Sequence, residues 1–210
     1  MAQRARTLLI TGAALLMVAG LVAAHMLREA RLSEASLREH GAIVLSTPIE
    51  IEPLQLVNHR GEVFTNEDLE GHWTLAFFGY TSCPDICPTT MRVLSESRRA
   101  LLDQRGLDVR VLMVSVDPGR DTPERLSEYL EHFSPDFVGV TGTAEALSAF
   151  ARQLHVASDR VEGDDPASYL VAHSGNIVVL NPRGLYHGVL KMPHRAEGVA
   201  AMVDAMVRRF

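Results

Sequence analysis

Residues 77–91 read FFGYTSCPDICPTTM and contain both cysteines of the 210-residue chain, Cys83 and Cys87. The apolar run 74–78 predicts a buried strand before them, and the apolar spacing over 91–102 predicts a helix after them. The cysteines therefore lie on a strand-to-helix turn. A separation of four residues at the start of a helix brings both sulfurs to one face, where they can share a metal ion or close a disulfide.

The start of the predicted helix favours the thiolate form of both cysteines, because its unpaired N–H groups stabilise negative charge. A purely structural disulfide is the less favoured interpretation, since a bridge across three intervening residues closes a short loop and stabilises little. With no other cysteine in the chain, the pair is typical of a redox or metal site. Thioredoxin-type oxidoreductases have two residues between their cysteines and this chain has three, so the turn alone does not establish a redox function.

The composition indicates a globular domain with an appendage rather than a nucleic-acid-binding protein. Apolar residues make up 47% of the chain, which is enough for a sizeable core. The formal net charge is −6 at pH 7, and the chain has no dense block of Lys and Arg with interleaved aromatic residues. Both features argue against nucleic acid as a partner.

An uncharged, apolar run over residues 7–27 follows Arg4 and Arg6. At a rise of about 1.5 Å per residue, this run can cross a hydrocarbon core of about 30 Å. The positive charges ahead of it stay on the cytoplasmic side, so the rest of the chain faces the periplasm. A secretory signal cleaved after Ala24 is the less favoured alternative, because the run exceeds the usual length of a signal. We therefore predict a cytoplasmic tail (1–6), a single inner-membrane transmembrane anchor (7–27), a solvated stalk (28–42) and a folded domain (43–210).

Hydrophobic patterning in the domain predicts alternating strands and helices. Segment 43–64, with a turn at 58–61, predicts an N-terminal β-hairpin, and the polar segment 157–167 predicts an exposed loop. Strands are predicted over 74–78, 109–116, 137–140, 169–172, 176–180 and 185–190, and helices over 91–102, 123–133, 144–154 and 195–209. Three strand–helix units followed by an antiparallel hairpin and a last helix are typical of a three-layer α/β domain of thioredoxin type.

The cysteine pair also suits a soft metal ion. Two thiolates can bind Cu(I) or Zn(II), but a closed zinc site needs four ligands, whereas Cu(I) accepts two sulfurs and one imidazole. The chain has nine histidines, and the local pattern favours His173, which follows a predicted strand and precedes a turn. His194 is the second candidate, and the nearby Met192 is a further soft donor.

Three motifs, in this order, resemble the signature of the Sco/SenC copper chaperones. They are FGYTSCPDICPT at 78–89, SVDPGRDTP at 115–123 and YLVAHS at 169–174, and the likeness extends from about residue 53 to 207. The resemblance implies a membrane-anchored, thioredoxin-like protein that binds copper as Cu(I) or Cu(II). It assigns Cys83, Cys87 and His173 as the copper ligands.

The resemblance also implies a function, and it points to two further residues near the copper ligands. The family helps assemble the binuclear copper A centre of cytochrome c oxidase, and some members act as thiol reductants. We therefore expect a metallochaperone for the copper A subunit, with a thiol–disulfide oxidoreductase acting on cysteines of a periplasmic client as the alternative. Asp117 and Asp121 belong to the second motif and are candidates for contacts around the ligands. Many members carry Asp immediately before the histidine, whereas this chain has Ala172, so the chain must either use another acceptor to orient the imidazole or hold the histidine more loosely.

Overall fold

The computed structural model describes Gly12 and residues 15–22, 34–161 and 169–210. In residues 34–161 and 169–210 the helices are α1 (Glu34–Glu39), α2 (Ile86–Arg105), α3 (Pro123–Glu131), α4 (Ala144–Gln153) and α5 (Ala196–Val207), with a 3-10 helix at Asn66–Leu69. The strands are β1 (Ala42–Ile49), β2 (Gln55–Asn58), β3 (Val63–Thr65), β4 (Trp73–Gly79), β5 (Val109–Ser115), β6 (Val138–Thr141), β7 (Ser158–Val161), β8 (Leu170–His173), β9 (Ile177–Leu180) and β10 (Tyr186–Leu190).

Eight of these strands form one mixed sheet in the order β1-β10-β9-β4-β5-β6-β2-β3. Strands β4, β5 and β6 are parallel and are joined through α2 and α3, which gives two βαβ units at the centre of the sheet. The outer pairs are antiparallel. The carboxyl ends of β4 and β5 therefore meet at one edge of the sheet, and the cysteine turn follows directly from β4.

Side chains of β4 alternate between two hydrophobic clusters on opposite faces of the sheet. Leu75 and Phe77 pack in the cluster with buried residues of α2, α3 and α5. Ala76 and Phe78 pack in the cluster with buried residues of α4. Every residue of β4 is buried, as expected of a central strand with helices on both faces. The predicted three-layer α/β arrangement is confirmed.

The predicted starts of α3 and α4 are also confirmed, whereas α2 begins at Ile86, before the predicted start at residue 91. Thr122 caps α3 by accepting a hydrogen bond from the backbone N–H of Arg125, and Thr143 caps α4 in the same way. The buried residues of α5 are Val199, Met202, Val203 and Met206, which have the spacing of one face of the predicted helix 195–209.

The prediction of one N-terminal hairpin over 43–64 is partly wrong. Strand β1 pairs with β10 at one edge of the sheet, whereas the hairpin is β2–β3 and lies at the opposite edge beside β6. The connection between them contains Pro53, which cannot donate to a ladder. It is held by Asn66, whose side chain accepts from the Leu54 N–H at 2.8 Å and donates to the Ile51 carbonyl at 2.9 Å. The alternation of apolar and polar residues thus predicted where the strands lie, but not which strands they pair with.

The prediction that residues 157–167 form only a loop is also wrong in part. Ser158–Val161 is strand β7, which pairs antiparallel with β8 in a two-stranded ribbon separate from the main sheet. The ribbon contributes little to the core. Among its described side chains, Val171 is the one apolar side chain that is buried. Strand β7 was missed because its sequence, Ser-Asp-Arg-Val, is mostly polar and shows no pattern of burial. Residues 162–168 lie outside the described residues.

Most of the predicted tail, anchor and first part of the stalk lies outside the described residues. Residues 15–22 are helical, with exposed apolar side chains. Across the described ranges, no helix is long and apolar enough to cross a membrane. Helix α1 lies in the segment predicted as a solvated stalk, yet its Leu37 is buried in the core cluster that contains α2.

Candidate metal centre

The cysteine turn places its two thiols differently. Cys83 lies in the loop between β4 and α2, where its N–H donates to the Tyr80 carbonyl at 3.2 Å, and it is half-buried. Cys87 lies in the first turn of α2 and is fully buried. Gly79 ends β4 directly beside the Cys87 sulfur, and a Cβ there would lie 3.0 Å from Sγ. The glycine therefore lets the helix start approach the strand closely.

Three donor atoms meet at this turn, those of Cys83, Cys87 and His173. The two Sγ atoms and a ring nitrogen of His173 all lie within 4.8 Å of one another, and Cys87 Sγ is 3.3 Å from His173 Nε2. Within residues 34–161 and 169–210, no other group of His, Cys, Asp and Glu side chains converges in this way. Both cysteines are free thiols in the structure, and the prediction that they form a redox disulfide stays a prediction.

The second candidate histidine lies apart from this group. His194 Nε2 bonds the Gly175 carbonyl at 2.8 Å, and His194 Nδ1 is buried without a hydrogen-bond partner among the described residues. Met192 packs its sulfur against Gly175 and the Ile86 side chain lies on the same side of that glycine. The geometry thus selects His173 over His194 as the third donor.

The imidazole of His173 is oriented by a backbone group. Its Nδ1 lies 3.2 Å from the Ser174 carbonyl oxygen. A carbonyl can only accept, so Nδ1 carries the proton and the Nε2 lone pair points toward Cys87. Ala172, where a carboxylate was expected from the resemblance, is exposed. The Ser174 carbonyl therefore supplies the acceptor that the sequence lacks at position 172.

Burial dominates the electrostatics of the site. It raises the pKa of the Cys87 thiol far above its ordinary value, and a Tyr80 backbone N–H offsets this only partly. The expectation that the helix start favours the thiolate is therefore wrong for Cys87, because desolvation of the charged form outweighs the helix dipole. Burial also lowers the pKa of His173, so its imidazole stays neutral. A cation that binds here would displace the thiol proton and balance the negative charge of the resulting thiolate.

Neither predicted aspartate offers a ligand atom to the group. Asp121 is fully buried and accepts from the Thr81 hydroxyl at 2.6 Å, the Thr81 N–H and the Ser115 hydroxyl at 2.7 Å. Burial raises the pKa of its carboxyl, although these hydrogen bonds act in the opposite direction. Asp121 thus ties the loop before Cys83 to the end of β5.

Asp117 makes a second set of contacts. It forms an ion pair with Arg120 and accepts from the Tyr169 hydroxyl at 2.5 Å. Sequence reasoning missed Arg120 and Tyr169, although both lie in the quoted motifs. No local pattern could have paired them, because position 169 is separated by 52 residues from Asp117.

The donor group opens onto an apolar cleft of about 310 Å³. Its walls include Tyr80, Ile86, Val161 and Leu170. Val161 and Leu170 are cross-strand partners in the ribbon and are 49% and 53% exposed. The half-buried Cys83 is thus accessible from an apolar surface.

Comparison with known proteins establishes the family. A family model described as SCO1/SenC matches residues 45–208. The chain belongs to the SCO1/SenC family. A SCO2-like protein of Rickettsia felis is 37% identical over 133 residues, which are 63% of this chain and 64% of that protein. The matched stretch is therefore just under two thirds of each protein.

Solved Sco structures have the same fold. Arabidopsis thaliana ScoI with copper bound is 31% identical, covers 75% of this chain and 98% of its own, and superposes with a TM-score of 0.72. BsSco, described as a member of the Sco family of cytochrome c oxidase assembly proteins, gives a TM-score of 0.61 over 78% of this chain and 96% of its own. At 22% identity, BsSco supports the fold alone. The predicted thioredoxin-like fold and the resemblance to Sco proteins are confirmed.

Proposed function

We propose that this chain binds one copper ion through Cys83, Cys87 and His173 and delivers it to a copper centre of cytochrome c oxidase. The convergence of two thiols and one imidazole nitrogen within 4.8 Å carries the proposal. Soft sulfur donors with one nitrogen fit copper in both oxidation states. A fourth protein ligand, which structural zinc requires, is missing from the converging His, Cys, Asp and Glu side chains of the described residues.

The copper A subunit is the proposed client, and the inner membrane the proposed location. Family membership and the copper-bound ScoI relative support a role in copper handling. The apolar run 7–27 supports a single anchor with the domain in the periplasm. A membrane-bound carrier would meet an oxidase subunit in the same bilayer without diffusing through the periplasm.

Anaerobic copper titration of the full chain in detergent tests the proposal. The reduced protein should bind one Cu(I) tightly in competition with a chelator of known affinity. It should then transfer the ion to a reduced, metal-free copper A domain, which is measured as the copper content of that domain after the two proteins are separated. Absence of stoichiometric binding by the reduced protein would rule out the chaperone function.

A thiol–disulfide oxidoreductase remains the second candidate. The observation that favours it is the difference between the two thiols, since Cys83 is half-buried and Cys87 lies behind it, fully buried. An accessible thiol can attack a client disulfide, and a second thiol nearby can then resolve the mixed disulfide. Catalytic reduction of an oxidised copper A domain, without copper binding by this chain, would favour this candidate.

A further inference from the structure

The strand that carries His173 is not part of the main sheet. In the part of the chain that the structure describes, strand β8 pairs with β7 alone, and the two form a separate ribbon. An isolated two-stranded ribbon is at best marginally stable in water. The position of His173 therefore depends on contacts between the ribbon and the rest of the domain.

One cluster of side chains supplies such contacts at the start of β8. The Tyr169 hydroxyl donates to Asp117 Oδ1 at 2.5 Å, and the Arg120 guanidinium lies 3.8 Å from the centre of the Tyr169 ring. Arg120 also pairs with the Asp117 carboxylate. Stacking a guanidinium on a tyrosine ring beside a carboxylate combines cation–π attraction with an ion pair. We call Asp117, Arg120 and Tyr169 the clamp.

The clamp also reaches the cysteine loop. Arg120 lies 5.6 Å from the Tyr80 ring centre, and the Tyr80 hydroxyl accepts from the Val171 N–H of β8 at 3.3 Å. The same turn holds Asp121, which accepts a hydrogen bond from the hydroxyl of Thr81, the residue that follows Tyr80 in the cysteine loop. One short turn, residues 117–121, therefore sets the position of both the thiols and the imidazole.

We propose that Arg120 and Tyr169 are positioning residues for His173, which rests on the proposed copper function. They hold the start of β8 so that His173 Nε2 stays within reach of the Cys87 sulfur. The Ser174 carbonyl that orients the imidazole is a backbone group next to the ribbon, and Ala172 offers no side-chain acceptor. The orientation of the His173 imidazole therefore depends on the position of the ribbon.

Copper binding by clamp variants of the full chain tests this inference. Tyr169→Phe removes the hydroxyl but keeps the ring, and Arg120→Lys keeps the charge but removes the planar group. Both should weaken Cu(II) binding on the order of tenfold, as loss of a contact that orients a ligand commonly does, while Cu(I) affinity changes by less than about twofold because the thiolates remain.

Two matched controls separate positioning from general damage. Tyr186→Phe removes the hydroxyl of a tyrosine that packs in the cluster on the opposite face of the sheet from Cys87, and Arg99→Lys changes an exposed arginine of α2. Both should match wild type in Cu(I) and Cu(II) affinity. In a His173→Ala background, the clamp variants should cause no further loss of Cu(II) affinity, because the group they position is already absent.

A metal-free measurement separates this inference from the proposed function. In the reduced apoprotein, backbone amides of β8 should exchange with solvent about fivefold faster in either clamp variant than in the controls, as expected when one hydrogen bond or ion contact is lost. If wild type binds no copper, the proposed function fails, and this exchange result alone decides the inference. Unchanged exchange in both clamp variants, or losses of Cu(II) affinity that add to those of His173→Ala, would overturn it.

Discussion

The contact between Cys87 and His173 joins a soft donor that burial keeps protonated to a nitrogen donor that burial keeps neutral. Without a metal, the pair carries no charge, and a buried site tolerates that state well. A bound ion would displace the thiol proton and restore charge balance between cation and thiolate. At the scale of single residues, the site is thus suited to take up a cation.

Replacement of His173 should separate the two oxidation states of copper. His173→Ala should retain measurable Cu(I) binding, because two thiolates nearly suffice for Cu(I), but weaken Cu(II), which prefers nitrogen donors. The visible thiolate-to-Cu(II) charge-transfer band should fade or shift in this variant and vanish in Cys83→Ser or Cys87→Ser. His194→Ala is the matched control. If His194→Ala changes the spectrum while His173→Ala leaves it unaltered, the ligand assignment is wrong.

The lowered pKa of His173 predicts a pH dependence of stability. Its value in the fold lies below the ordinary value of about 6.5, so the unfolded chain binds more protons as the pH falls past 6.5. The free energy of unfolding should therefore decrease from that pH downward. His59, His187 and His194 have pKa values lowered by burial as well, so His173→Ala should reduce the slope without removing it.

Urea unfolding of the reduced apoprotein at several pH values between about 7 and 5 measures this slope. The comparison is made between wild type and His173→Ala. If the free energy of unfolding has the same pH dependence in the two proteins, then His173 does not change its pKa on unfolding and the prediction is wrong.

At the scale of secondary-structure elements, Gly79 controls how closely β4 meets α2. A Cβ at this position would lie 2.8 Å from the Phe77 ring and 3.0 Å from Cys87 Sγ, and both neighbours are fully buried. Gly79→Ala should destabilise the protein by about 1–3 kcal/mol and weaken copper binding by displacing the sulfur. Chemical denaturation and copper competition measure the two effects.

In contrast to Gly79→Ala, we expect Gly198→Ala to stabilise the protein. Gly198 lies inside α5, and a Cβ there would meet nothing within 4 Å. This variant should stabilise the protein by about 0.5–1 kcal/mol, because alanine favours the helix over glycine, and should leave copper binding unchanged. Similar stability changes in the two variants would contradict the close-approach argument.

The cysteine turn should also act as a redox gate for copper. The two sulfurs lie within 4.8 Å, so a modest movement of the loop would bring them to bonding distance. A disulfide removes both thiolates, and the oxidised protein should therefore lose copper affinity by orders of magnitude. Alkylation mass spectrometry across a redox titration, run in parallel with copper binding, measures this. Equal affinity of the oxidised and reduced forms would exclude thiolate ligation.

At the scale of the whole molecule, the apolar run 7–27 should keep the protein in the inner membrane. Because Arg4 and Arg6 precede the run, the domain should be accessible to protease from the periplasmic side. Cell fractionation and N-terminal sequencing of the mature protein measure both. A mature chain that starts near His25 and is free in the periplasm would instead establish a cleaved signal.

Much of the architecture was determined by the sequence alone. The buried run 74–78, the capping threonines Thr122 and Thr143 and the apolar face of α5 depend on residues close together in the chain. Periodicity and capping are local properties, so they specify where elements begin and which face is buried. The placement of both cysteines on a strand-to-helix turn follows from the same local signals.

The tertiary structure alone brought His173 into contact with Cys87, set the partner of β1 and raised the pKa of Cys87. His173 is separated by 86 residues from Cys87, and no periodicity relates two such positions. The helix start predicts a thiolate at Cys87, but the packing of distant residues buries the sulfur and reverses that preference. Strand pairing and desolvation depend on contacts between distant parts of the chain, and these exist only once the chain has folded.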